Sequence, residues 1–134
     1  MHQAADEGRD AAESRGLDIR YVQGLRDGVM VARPVETVVV ETPTTITLDA
    51  GAGLGQPVSH RAMTRAIDKA REVGCGFAAV RNSNHYGIAG YYAMMALEHD
   101  MIGLSMTNAD VLVVPTFGRD AMYGTNPIAL AVPA

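Results

Sequence analysis

The sequence predicts an α/β fold, with helices packed on a sheet that carries an antiparallel component. Three observations lead there. Runs rich in β-branched residues at 36–41 and 44–49 read as two strands divided by Pro43. Strand-type and helix-type segments then alternate through the rest of the chain. The 134 residues, 48% apolar and 19% charged, suffice for a globular domain with a core.

The elements follow in order. Residues 1–14 are polar and acidic without a clear apolar face, and read as a disordered or frayed arm before a domain at 15–134. "LDIRYVQGLRDG" reads as a short helix, because Leu17, Tyr21, Val22 and Leu25 fall near helical spacing and Gly28 can stop it. After the two strands, "GAGLGQ" at 51–56 leads into "PVSHRAMTRAIDKAREVG". That segment is a helix whose apolar face is Val58, Ala62, Ala66, Ile67 and Ala70, with Pro57 in its first turn and Gly74 as its stop. "GFAAV", 76–80, reads as a buried strand, followed by a helix at about 89–99 and a strand at 102–108. A loop with Pro115 and Gly118 leads to a closing strand in "GTNPIALAVPA". The final apolar strand stops abruptly at Ala134, which points to truncation.

Composition removes several function classes. The formal net charge is -4, and the arginines and the single lysine, Lys69, form no basic stripe. With no Trp and only two Phe there is no stacking platform, so nucleic acid is not expected as a partner. One cysteine, Cys75, excludes a disulfide within the chain and fits a reducing compartment. No apolar run is long enough to span a membrane and the N-terminus lacks a secretory apolar core. The expectation is a soluble, cytoplasmic protein without a membrane partner.

Motif spacing narrows the chemistry. The glycine loop sits between strand and helix, as a dinucleotide fingerprint does, but its third position falls on Gln56 and Gly55 comes one place early. It reads instead as a flexible turn. His60, Cys75, His85 and His99 match no usual zinc spacing, so no metal is expected. Cys75 reads as a small buried hydrophobe. Arg81-Asn82-Ser83-Asn84-His85-Tyr86-Gly87 is different, because it follows the C-terminal end of a strand, where ligands collect in open α/β sheets. An ordinary surface turn also explains its Asn, Ser and Gly. Imidazole titrates near neutrality, which makes His85 the natural acid or base of a site there. The Thr-Asn pairs of "MTNAD" and "GTNP" offer donors and acceptors at strand ends, or simple turns.

Together, "VRNSNHYGIAGYYAMMAL", "MIGLSMTNADVLVVPTFG" and "GTNPIALAVPA", in this order and spacing, resemble the malate/L-lactate dehydrogenase family of non-Rossmann NAD(P)-dependent oxidoreductases. The glycine loop and its helix fit as well, so the resemblance runs from about residue 15 to the end. It implies a mixed sheet with packed helices that is not doubly wound, here incomplete. It implies NAD or NADP as cofactor, a small 2-hydroxy acid such as malate or lactate as substrate, and a homodimer. His85 matches the catalytic histidine that accepts the substrate hydroxyl proton. Asn108 and Ala109 match a stretch lining the nicotinamide, and Thr125 and Asn126 fall in a motif near the same site.

Two departures accompany the resemblance. Family members carry a Ser-His-Gly-x-x-Arg segment, whose flanks resemble Arg15 to Asp18 and Arg20 to Val22 here, while its centre is missing. Family members also continue past the strand that ends at Ala134. The chain therefore reads as an N-terminal piece with an internal deletion. The competing reading is a non-catalytic fragment or paralogue that only dimerises or binds a small ligand. A substrate carboxylate needs a cation, and Arg81 is the nearest in sequence to His85 without a geometric reason to choose it.

Overall fold

The structure, a computed structural model, describes residues 19–134. The arm assigned to residues 1–14, and Leu17, lie outside them. Helix α1 runs through residues 19–26 and closes in a turn at Gly28, whose φ is 72°. Strands β1 (Thr37–Glu41) and β2 (Thr45–Gly53) form the expected antiparallel hairpin around Pro43. Thr42 closes the turn: its N–H reaches the Thr45 carbonyl at 2.9 Å, and its hydroxyl accepts the Thr45 N–H at 3.0 Å.

Period-two alternation turns Ile46, Leu48 and Ala50 of β2 to one buried face. Helix α2, Gly55–Val73, lays Val58, Ala62, Ala66 and Ile67 toward the interior, the face its sequence period marks. Ile46 and Val58 are almost fully enclosed, each contributing about 1.5–3 kcal/mol of apolar burial. The helix ends where Gly74 turns left-handed, its N–H returning to the Ala70 carbonyl. The hairpin is also tied to α2 from outside, since Lys69 reaches both the Thr42 carbonyl and the Glu41 carboxylate, at 2.7 and 2.8 Å. Lys69, with Arg65 beside it, holds Glu41 below its ordinary carboxylate range.

Strand β3, Phe77–Ser83, pairs parallel to β2, so the three-stranded sheet is mixed, in the order β1-β2-β3. Helix α3, Ala89–Met95, continues as a short 3-10 turn, Ala96–His99. It packs on a second, two-stranded antiparallel sheet of β4 (Gly103–Met106) and β5 (Ile128–Ala131).

Three expectations need correction. The strand at 76–80 is not buried: Phe77 is 64% exposed and Ala78 and Val80 are only half covered. Within these residues β3 is an edge strand covered by α2 on one face alone. Cys75 is exposed, because it lies in the turn that Gly74 swings outward before β3 begins. The strand at 102–108 shrinks to Gly103–Met106 and pairs in its own sheet. Among the described residues no helix is long and apolar enough to cross a membrane.

Candidate functional site

The polar run does not follow a strand ending at Val80 but begins inside β3, which extends to Ser83 because it keeps pairing with β2, and it is bolted to that strand. Asp49 accepts the Gly51 N–H at 2.9 Å, the Asn82 amide at 3.0 Å and Arg81 Nε at 2.9 Å. These donors, the Gly51 N–H foremost, keep the Asp49 carboxyl below its usual range. Gly51 and Ala52 both take positive φ where the β2–β3 register shifts, so the "GAG" stretch is the bulged end of a strand. Asn84 then donates to the Ala52 and Gly53 carbonyls at 2.9 and 3.1 Å.

Gly55 completes the seat. A Cβ there would stand 2.1 Å from the Asn84 carbonyl oxygen and 2.6 Å from that of His85. Only glycine lets α2 start against the backbone of the histidine loop. From the other side, the buried Tyr92 of α3 donates its hydroxyl to the Tyr86 carbonyl and stacks on the Tyr86 ring at 5.1 Å. Burial, with Tyr86 beside it, pushes the Tyr92 phenol up.

So clamped, His85 stays exposed and turns Nδ1 to the Tyr21 hydroxyl of α1, 2.7 Å away. The Gln56 amide in the first turn of α2 donates to the same phenol oxygen. Sequence pattern marks neither residue as part of the site: Gln56 stands where a dinucleotide fingerprint would need glycine, and Tyr21 takes an apolar position of a short helix. Nothing local in either predicts a partner 64 or 35 residues away.

The loops after β4 and before β5 form the opposite wall. Asn108, Ala109 and Thr125 line the same open cleft as His85, whose volume is about 1820 Å³. Asn126 stands behind it, its side-chain carbonyl accepting the Ala109 N–H at 2.8 Å. The two loops touch so closely that a Cβ on Gly124 would lie 2.4 Å from the Ala109 carbonyl oxygen. Four of the five residues marked in the sequence thus share one cleft, and the fifth braces it. Arg20 and Arg81 also line it. Arg81 is committed to Asp49, whereas Arg20, among the described residues, makes a loose 3.8 Å contact with Asp110, both largely exposed.

The cleft is roomier than a common small-molecule site of about 300–1,000 Å³. The Asn108 amide and the Thr125 hydroxyl supply both donors and acceptors to its lining. Among the described residues no cluster of three or more His, Cys, Asp or Glu is placed to hold a metal.

Comparison with known proteins gives one consistent result. Residues 8–134 match the family model described as malate/L-lactate dehydrogenase. The chain is 54% identical over 123 residues to the malate dehydrogenase of Pyrococcus abyssi, covering 90% of this chain and 34% of that protein. It is 45% identical over 112 residues to the L-sulfolactate dehydrogenase of Methanocaldococcus jannaschii, covering 84% and 33%. The solved malate dehydrogenase of Pyrococcus horikoshii superposes with a TM-score of 0.77 at 53% identity, over 85% of this chain and 33% of that one. The chain spans about a third of the length of these relatives.

Proposed function

Because the chain belongs to the malate/L-lactate dehydrogenase family, we propose that it forms the proton-transfer half of a dehydrogenase site for a small 2-hydroxy acid. The observation that carries this reading is His85, exposed in a cleft on a loop clamped by Asp49, Gly55 and Tyr92. A general base works only when it is held within hydrogen-bond reach of its proton. The dehydrogenases of malate and sulfolactate among its relatives support the substrate class.

A bound NAD or NADP supplies the nicotinamide that exchanges hydride with C2 of the acid. Asn108 and Thr125 would hold its carboxamide, with Asn126 keeping the Ala109 backbone in place. His85 takes the hydroxyl proton during oxidation and returns it during reduction. Arg20 is the cation best placed for the substrate carboxylate, since Arg81 is already paired with Asp49. The active assembly on this reading is a homodimer.

The test is His85→Ala in a family-length protein carrying this sequence. Hydride transfer, followed as NADH or NADPH absorbance, falls by 10²–10⁴-fold, the usual share of a general base. Near-wild-type turnover overturns the assignment. A second reading, ligand binding without catalysis, draws on the one fact that the chain spans a third of its relatives. Titrating the 134-residue chain with NADH and NADPH by fluorescence separates the two. Binding by this chain, with no turnover of a 2-hydroxy acid by a family-length protein carrying its sequence, favours the second.

A further inference from the structure

Among the described residues the oxygen of Tyr21 has two polar neighbours, Nδ1 of His85 at 2.7 Å and the side-chain amide nitrogen of Gln56. A phenol has one proton to give. With a Gln56 N–H donated to its oxygen, the arrangement that uses the phenol's proton within the chain of bonds points the Tyr21 O–H at Nδ1. An Nδ1 that accepts places the neutral ring's proton on Nε2. If Gln56 presents Oε1 instead, every bond in the chain reverses. Tyr21 then donates to Gln56, Nδ1–H donates to Tyr21, and Nε2 carries a bare lone pair. Half a turn of one amide exchanges these two states with little movement of heavy atoms.

Gln56 is well seated for that task. It lies in the first turn of α2, and its Cγ is 3.7 Å from where a Cβ on Gly87 would stand, so its stem runs along the histidine loop. We propose that Gln56 is a positioning residue that sets, through Tyr21, which ring nitrogen of His85 carries the proton. The Nε2–H state donates to a ligand carbonyl, and the Nδ1–H state is the base.

The functional consequence rests on the dehydrogenase reading, whereas the tautomer itself does not. In the Nδ1–H state the hydroxyl proton of the acid passes to Nε2. The O–H electron pair becomes the second bond of the new C=O, and the C2–H pair leaves as hydride to the nicotinamide. His85 becomes imidazolium with Nδ1–H still on Tyr21. The Gln56 amide therefore has to present Oε1 throughout turnover, and the Nε2–H state fits a waiting 2-oxo acid.

Long-range ¹H–¹⁵N correlation spectra of the ¹⁵N-histidine-labelled chain, at a pH where imidazole is neutral, read the tautomer directly. His85→Gln assigns the signals. The wild-type ring shows a protonated Nε2 and an accepting Nδ1. Gln56→Glu can only accept, so it inverts the pair to Nδ1–H. Adding Tyr21→Phe to Gln56→Glu abolishes the inversion, because the phenol oxygen is the link. An unchanged tautomer in Gln56→Glu overturns the proposal, as does an inversion that survives Tyr21→Phe. Glutamate in the first turn of α2 suits the helix dipole, so the variant is expected to fold. If it does not, Tyr21→Phe alone decides: it raises a measurable Nδ1–H fraction, and an unchanged ratio refutes the relay. No substrate or cofactor enters this experiment. An inactive family-length enzyme with an intact relay, or the reverse, separates its failure from that of the proposed function.

Discussion

Replacing Gly55 with alanine sets two effects against each other. Helix propensity favours alanine by up to about 1 kcal/mol in a helix interior, and by less in a first turn. Sterics oppose it. The new methyl would stand 2.1 Å from the Asn84 carbonyl oxygen, more than an ångström inside ordinary contact. Both atoms are backbone-bound, one on α2 and one on the histidine loop, so no side-chain rotation relieves the overlap. Overpacking of this kind costs about 1–3 kcal/mol, so the net effect is a loss on the order of 1–2 kcal/mol. Urea unfolding followed by far-ultraviolet circular dichroism reads this as a midpoint lowered by roughly 1 M, given slopes of about 1–3 kcal/mol/M. Gly90→Ala is the control. Nothing lies within 4 Å of its Cβ position in α3, so propensity acts alone and the midpoint rises. A Gly55→Ala chain as stable as the parent would refute the close seating of α2 on the histidine loop. A family-length Gly55→Ala protein is also expected to lose turnover about 10²-fold if His85 acts as proposed, since a displacement near 1 Å misplaces it.

Asp49 and Glu41 ionise more readily when folded, so below the ordinary carboxylate value near 4 the unfolded chain binds more protons. Their stabilisation is complete above that pH and is lost as pH falls through the lowered folded values. Urea midpoints at pH 6 and pH 3 check this, and Asp49→Asn flattens the dependence. Asp49→Asn also gives up the Arg81 contact and loosens the loop ahead of His85, visible as faster amide exchange at Asn82 and Asn84. In a family-length protein, Arg20→Ala raises KM for the 2-hydroxy acid about 10–100-fold, the loss of a charge-assisted hydrogen bond of about 1.5–3 kcal/mol. A similar rise from Arg81→Ala alone, with Arg20→Ala silent, would reverse the choice of cation.

Much of the architecture was legible in local pattern. The β-branched hairpin around Pro43, the 3.6-residue apolar stripe of α2 and its Gly74 stop all appear where period and turn chemistry place them. Three motifs in order marked the family, and His85, Asn108, Ala109 and Thr125 among them share one cleft. Period cannot report how many layers cover a strand, so β3 read as buried although α2 covers one face of it. It also cannot report strand partners, so β4 and β5 read as members of one sheet and pair in another. The glycines of "GAGLGQ" read as a flexible turn, but Gly55 is needed because a neighbouring carbonyl leaves no room for a Cβ.

By itself the sequence determined most of the elements and the family, and it pointed to His85. Only the tertiary structure decided the surroundings of His85: Asp49 under its loop and paired with Arg81, Tyr21 on Nδ1, and Gln56 behind Tyr21. The physical reason is distance along the chain. Periodicity and capping act over a few residues, whereas these contacts join residues 32 to 64 positions apart and exist only after β2, α2 and α1 have packed.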